Sequence, residues 1–279
     1  MIRIILAALF VFAGFGPAAQ AQTREIYTIR DISVDERADT VIEAQQKAFA
    51  SARIKGAYRL IERLTLAEDR IGKIPPGSID AETANRLAAA VDVEEEVRGA
   101  GRYVGKLAIV YNPVMVRTFL DERAIPYIDS PAPMAVVFPV SDTFDNSSWS
   151  AVWPDQSAGR LAPFTVSRTY SVSPQSDWFE LRPDVDAANA RRAIKAVLSG
   201  RQGAFRVNLI SVTAAGETEL GSTSIAATAA EAASAAADAL DAIWKDQSIV
   251  RSTERTPGRS TVFFTSLVEW NTLRTALAR

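Results

Sequence analysis

The 279-residue sequence contains no cysteine and no histidine. Without cysteine the chain forms no disulfide and performs no thiol redox chemistry. Without either residue it cannot build a Ser-His-Asp or Cys-His catalytic arrangement, and a zinc site would have only carboxylates as ligands. The sequence also has no P-loop and no dinucleotide-binding glycine motif. We therefore expect a protein that is stabilised by a packed core and that uses no cofactor and no metal.

Blocks of like charge are also missing. The chain has 31 basic and 33 acidic residues, and no basic cluster stands out. A nucleic-acid-binding domain usually shows a basic patch or stripe, so we expect no nucleic acid partner. Beyond the first 21 residues no apolar run approaches the roughly 20 residues that span a bilayer. We therefore expect no integral membrane span in the mature chain.

The N-terminus has the parts of a secretory signal peptide in the usual order. Arg3 supplies a positive charge, residues 4–15 form an apolar run, and Ala19-Gln20-Ala21 is an A-x-A cleavage site. A membrane anchor is the alternative, but the apolar run of about 12 residues is too short. No cysteine follows the site, so a lipoprotein anchor is excluded. Residues 1–21 are therefore predicted to be a signal peptide that is cleaved after Ala21, and the protein is predicted to be periplasmic.

The first half of the mature chain alternates between strand and helix patterns. A capping box at Thr40 and Glu43 begins a helix, and small residues recur every fourth position along it, as at Ala48, Ala52 and Gly56. Small residues at this spacing allow a helix to lie close to a sheet. The elements follow the order of the ferredoxin-like βαββαβ fold: strand 26–34, helix 40–65, strand 91–97, strand 103–111, helix 112–124 and strand 134–140.

The sequence pattern of the second half predicts a similar order of strands and helices. A second capping box, at Thr228 and Glu231, begins an alanine-rich helix, and a third one at Ser266 begins a terminal helix. The elements are strand 164–172, helix 186–198, a hairpin of 205–213 and 217–226, helix 228–246, strand 261–265 and the terminal helix.

We therefore predict an α+β protein of two consecutive ferredoxin-like (βαββαβ) units plus a C-terminal helix. The first domain spans residues 22–141, a tryptophan-containing linker loop spans 142–163, and the second domain with the terminal helix spans 164–279.

Trp149 and Trp153 are the candidate binding residues. Both lie in a stretch rich in Ser, Asp and Asn, where an aromatic ring can stack on a glycan or anchor a partner protein. Alternatively, the two rings fold back and fill the gap between the two halves of the chain. Both interpretations remain open at the level of sequence.

Acidic residues offer no catalytic pair. Glu94-Glu95-Glu96 is the densest acidic cluster, but neighbouring side chains on a strand point to opposite faces, so these three cannot converge on one bond. Asp142 and Asp145 are equally well explained as turn formers. No spaced motif marks a Ser–Lys pair. We assign no catalytic residue.

Several segments resemble an exported bacterial family, that of domain of unknown function 2066. They are residues 27–34, Arg63-Leu64 in the first helix, Tyr103-Val104-Gly105-Lys106-Leu107, Tyr111-Asn112-Pro113, Val116-Arg117 and Ser266-Leu267-Val268-Glu269-Trp270. The resemblance spans most of the mature chain. It implies export and a similar fold, and it carries no catalytic residue across.

The sequence therefore favours a non-catalytic periplasmic binding or assembly module of the bacterial cell envelope. Its partner would be an envelope protein or a cell-wall component. The alternative is a carboxylate-dependent hydrolase that acts on cell-wall or glycan substrates. A hydrolase needs two carboxyl groups about 5–10 Å apart in a cleft, whereas a binding module needs an accessible apolar or aromatic surface.

Overall fold

The computed structural model describes residues 24–154, 159–250, 266 and 269–271. The chain divides into one unit that ends at Ile249 and a second that spans Val250–Arg279. Within the second unit, the Glu269 amide donates to the Ser266 hydroxyl oxygen at 3.2 Å, as the third capping box predicts. The predicted signal peptide and the predicted strand 261–265 lie outside the described residues. No helix within the described ranges is long and apolar enough to cross a membrane.

The first unit contains two sheets, of which the first is antiparallel and has the strand order β1-β3-β2. Three helices lie between β1 and β2 in the chain, and a fourth follows β3. The elements are β1 (Thr28–Arg37), α1 (Val41–Leu64), α2 (Ala67–Arg70), α3 (Ala81–Leu87), β2 (Ala88–Gly99), β3 (Arg102–Tyr111) and α4 (Pro113–Asp121).

Helix α1 covers one face of this sheet and begins at the predicted capping box. Thr40 accepts from the Glu43 amide, and the Glu43 side chain accepts from the Thr40 amide. The predicted small-residue face is buried, with Ala48 and Ala52 fully inaccessible. At Gly56 an added Cβ would lie 2.3 Å from the Tyr111 hydroxyl oxygen. The small residues therefore set how closely the helix approaches the sheet.

The second sheet has the order β5-β4-β6-β7-β8, with β5, β4 and β6 parallel and the rest antiparallel. Helices α5 and α7 cover one face and α6 covers the other. The elements are β4 (Ala135–Ser141), α5 (Asn146–Ala151), β5 (Phe164–Val166), α6 (Trp178–Ala187), β6 (Arg192–Arg201), β7 (Ala204–Thr213), β8 (Gly216–Ser222) and α7 (Ala229–Ser248).

The α+β class is confirmed, but two complete βαββαβ units are not what the described residues show. The first sheet has three of the four strands in the ferredoxin-like order. Strand β4, predicted to complete that sheet, instead pairs with β5 and β6 of the second sheet. The physical reason is burial, because residues 135–140 are all buried. A strand of this kind needs neighbours on both edges and cover on both faces, and β4 finds them in the larger sheet.

The predicted helix 186–198 is also wrong, because the chain forms helix α6 earlier and strand β6 in its place. Side chains of β6 point alternately to the two faces of the second sheet. Ile194 belongs to the hydrophobic cluster that includes α7, whereas Ala193 belongs to the cluster that includes α6. A strand that is buried on both faces reads as a continuous apolar run, and such a run fits a buried helix equally well.

Contacts from α7 join the second sheet to the first half of the chain. The Lys245 ammonium donates to the carbonyls of Glu62 and Thr65, at 2.9 and 3.0 Å. These carbonyls lie at the C-terminal end of α1, where helical carbonyls lack partners. The Trp244 indole donates to the Ser130 carbonyl at 2.9 Å.

Candidate binding cavity beside Trp153

Helix α5 carries the first predicted site residue and is held at its N-terminal end. Asp145 caps it, accepting from the Ser148 amide at 2.8 Å. The Ser147 hydroxyl and the Ser148 amide hold the pKa of the Asp145 carboxyl below its usual range. The Asn146 side chain accepts from the Ser141 amide at 2.9 Å and donates to the Val172 carbonyl at 2.8 Å. These bonds tie α5 to the end of β4 and to the segment that follows β5.

Trp149 is completely buried in the core of the second sheet. Its indole N–H donates to the Ala196 carbonyl at 3.0 Å, so its one polar group is satisfied. The ring packs edge-to-face on Trp153, with 5.5 Å between the ring centroids. The predicted linker loop is therefore partly helical, and this tryptophan belongs to the core.

Trp153 lies in the same hydrophobic core as Trp149, and only 3% of the residue is exposed. It packs edge-to-face against Phe164 of β5, with the ring centroids 5.7 Å apart. Its indole N–H differs from that of Trp149 because it has no hydrogen-bond partner among the described residues. Leaving a buried donor unpaired costs about 1–3 kcal/mol.

A cavity of about 340 Å³ lies beside Trp153, between α5 and the edge strand β5. Its volume falls within the range of about 300–1,000 Å³ that is usual for small-ligand pockets. Residues of α5, of the segment just after α5, of β5 and of the segment after β5 contribute to the wall: Ser150, Ala151, Trp153, Thr165, Val166, Arg168 and Tyr170.

We call this cavity the Trp153 cavity, and the described residues of its wall carry a positive charge that none of them compensates. Arg168 makes no hydrogen bond or ion pair with any residue that the structure describes. None of the described residues that line the cavity is acidic. Tyr170 is 47% exposed and leaves an aromatic ring at the surface. Among the described residues, the site therefore combines a cation without an ion pair, a buried donor without a partner and an accessible ring.

The acidic residues considered from sequence do not come together. Glu94 accepts from the Asp31 amide at 3.0 Å. Glu95 pairs with Lys106 at 3.0 Å, and Glu96 accepts from the Tyr103 hydroxyl at 3.0 Å. Each carboxylate of the Glu94–Glu96 cluster thus has a different partner.

The two aspartates are local structural residues. Asp142 is exposed in the bend after β4, and Asp145 is the helix cap described above. Across the described part of the chain, no three acidic side chains form an arrangement that could hold a metal ion.

Lys195 is a buried cation that the sequence did not single out, because its strand was predicted as a helix. Its ammonium donates to the carbonyls of Pro174 and Ser176, at 2.6 and 3.1 Å, and to Glu217 at 2.6 Å. An ammonium has three donors, and all three are used. Lys195 therefore anchors the segment before α6 to the sheet.

Arg168 and Tyr170 were also missed, because residues 164–172 were predicted to form one long strand. In the structure β5 ends at Val166, and the chain then turns along the cavity. The signal that was available is the sequence Ser167-Arg168-Thr169, whose polar side chains interrupt the apolar pattern after Val166.

No family model matches this chain. A comparison with curated proteins likewise finds no similar sequence. Function is therefore argued from the geometry of the Trp153 cavity and from the sequence signals of the N-terminus.

Proposed function

We propose that this protein is a non-catalytic periplasmic binding module of the bacterial cell envelope, and that it binds its ligand in the Trp153 cavity. One observation carries the proposal: the buried indole N–H of Trp153 has no partner among the residues that the structure describes, and Trp153 forms part of the cavity wall. Buried donors are almost always hydrogen-bonded in folded proteins. An unpaired donor beside a cavity of ligand size indicates a place for an acceptor that a ligand brings.

The envelope location rests on the sequence. Arg3, the apolar run 4–15 and the Ala19-Gln20-Ala21 site occur in the order that directs export. An exported binding module meets envelope proteins and cell-wall components, and a cavity of about 340 Å³ suits a small part of such a partner, such as one sugar or a short peptide end. Membership of the family of domain of unknown function 2066 is proposed on the same footing, from the segments that resemble it.

A binding role is the better proposal than a carboxylate-dependent hydrolase. No carboxylate occurs among the described residues of the Trp153 cavity wall, and each glutamate of the Glu94–Glu96 cluster is held by a different partner. A glycoside hydrolase of the usual kind needs two carboxyl groups that flank one bond. No pair of this kind is brought together at the cavity.

The test is a titration of the ¹⁵N-labelled mature protein with the soluble fragments of digested cell wall. The indole resonance of Trp153 is identified by its loss in Trp153→Phe. We expect it to shift in a saturable way, because the N–H gains an acceptor. The Trp149 resonance should shift less, because that N–H is already bonded to Ala196.

A second variant tests whether the shift depends on the cavity, because it fills the cavity with a side chain. Ala151→Phe places a ring in the wall at an exposed position and should abolish the shift without altering the melting temperature. A Trp153 resonance that no fragment moves, at concentrations that saturate other binding proteins, contradicts the proposal.

A further inference from the structure

We propose that the Trp153 cavity selects ligands that carry a single carboxylate group. This inference rests on the proposed function, since it names the chemical class of the ligand that the same cavity would hold. The juxtaposition that carries it is that of Arg168, Trp153 and Thr165 in one wall.

Arg168 determines the sign and the size of the charge that a ligand of the cavity should carry. Among the described residues, Arg168 is the cation of the cavity wall, no acidic residue contributes to that wall, and the guanidinium has no ion pair or hydrogen bond. Its planar fork matches the two oxygens of a carboxylate. One positive charge balances a monoanion, whereas a phosphate dianion would bring an excess negative charge into the site.

The other polar groups of the wall also favour an acceptor. The Trp153 indole can only donate, and it is unpaired. Thr165 is exposed at the edge of the sheet, and its hydroxyl makes no bond with a described residue. The Ser150 hydroxyl donates to the Ser167 carbonyl at 3.2 Å, so it offers lone pairs to the ligand. Hydrogen-bond donors therefore predominate in the wall, which suits an anion whose oxygens accept hydrogen bonds.

The remaining surface suits a compact ligand with an apolar face. Tyr170 is half exposed at the cavity, and Val166 contributes apolar wall. Aromatic rings pack on the apolar faces of sugars and of short side chains while their polar ends stay wet. In the cell wall, a carboxylate of this size occurs both on an acidic sugar and at the end of a peptide. The two sources share the chemistry that the cavity recognises.

The experiment uses the mature full-length chain and three pure probes. N-acetylmuramic acid and N-acetylglucosamine share one sugar ring, but only the first carries a carboxylate. N-acetyl-D-alanyl-D-alanine supplies a peptide carboxylate without a sugar, and its blocked amine leaves it a monoanion. Calorimetry measures the affinities, and the Trp153 indole resonance reports whether each probe occupies the cavity. At least one of the two anionic probes should bind about tenfold or more tightly than N-acetylglucosamine, which is the factor expected for one charge-assisted hydrogen bond.

Arg168→Gln should remove this preference. Arg168 is exposed and makes no bond with a described residue, so the variant should melt as the parent protein does. Arg206→Gln is the matched control, because it makes the same charge change at an exposed position outside the cavity wall. The control should keep the preference for the anionic probe.

The outcomes separate this inference from the proposed function. If N-acetylglucosamine shifts the Trp153 resonance as strongly as the anionic probes do, or if Arg168→Gln keeps the preference, the carboxylate inference is overturned while the binding function stands. If the mixed cell-wall fragments bind but neither anionic probe does, the carboxylate inference is likewise overturned while the binding function stands. If neither the fragments nor the probes move the resonance, the proposed function itself is contradicted.

Discussion

At the scale of single residues, Trp149 and Trp153 pack in one core cluster but differ by one hydrogen bond. The Trp149 indole donates to Ala196, whereas the Trp153 indole has no described partner. Trp149→Phe removes the indole hydrogen bond to the Ala196 carbonyl and should lower the free energy of unfolding by about 1–3 kcal/mol. Trp153→Phe removes an unpaired donor and should cost much less. Chemical denaturation of the two variants measures the difference.

Equal losses of stability in these two variants would show that the Trp153 indole is bonded in the folded protein. Substitution by alanine tests burial instead of bonding. Because both rings are almost fully buried, each alanine variant should lose about 3–5 kcal/mol. A Trp153→Ala variant as stable as the parent protein would place this ring at the surface, as one of the two interpretations of the sequence had it.

Asp145 makes the position of α5 sensitive to acid. Hydrogen bonds from Ser147 and Ser148 lower the pKa of its carboxyl in the folded protein. An acid whose pKa is lowered on folding contributes stability above its unfolded pKa of about 3.9, and it loses that contribution as the pH falls through the folded pKa. The stability difference between the parent protein and Asp145→Asn should therefore be largest at neutral pH.

The measurement is a series of denaturant melts of both proteins between neutral and strongly acidic pH. The difference should disappear at the acidic end, where both proteins have an uncharged cap. A difference that stays constant with pH would mean that the charge of Asp145 does not stabilise α5.

At the scale of elements, Gly56 decides how closely α1 approaches the first sheet. Alanine favours a helix over glycine by about 1 kcal/mol, yet Gly56→Ala should destabilise the protein. Its Cβ would lie 2.3 Å from the Tyr111 hydroxyl oxygen and 2.9 Å from the Ile32 side chain. Overpacking of this kind costs about 1–3 kcal/mol.

A double-mutant cycle with Tyr111→Phe provides the control. Removing the Tyr111 hydroxyl takes away the nearest clashing atom, although it also removes the bond from that hydroxyl to the Arg53 carbonyl. Gly56→Ala should therefore cost less in the Tyr111→Phe background than in the parent protein. Additive effects would show that α1 lies farther from β3 than the structure has it.

Prediction from sequence succeeded best for elements whose signals are local. The capping boxes at Thr40 and Thr228 both form, and α1 and α7 begin where they predict. It failed for β6, because Ala193, Ile194 and Ala196 are buried on both faces of a strand and leave no alternation to detect. The limit is physical: a cap is formed within one helical turn, whereas the cover over a central strand comes from distant parts of the chain.

At the scale of the whole molecule, the export prediction has a direct test. We expect the mature protein to begin at Gln22, because cleavage follows the Ala19-Gln20-Ala21 site. Intact mass spectrometry of the periplasmic fraction measures the mass of the mature chain. Recovery of the protein from the membrane fraction with residues 1–21 attached would contradict both the cleavage site and the periplasmic location.

The sequence by itself determined the chemistry that is excluded, the α+β class and the helices that begin at capping boxes, because these depend on composition or on contacts within a few residues. Only the tertiary structure decided that β4 joins the second sheet, that the Trp149 indole has a partner while the Trp153 indole has none among the described residues, and that Arg168 and Trp153 line the same cavity. These features arise from pairings between distant segments. The apolar pattern of a strand indicates that the strand is buried, but it does not indicate which neighbours bury it.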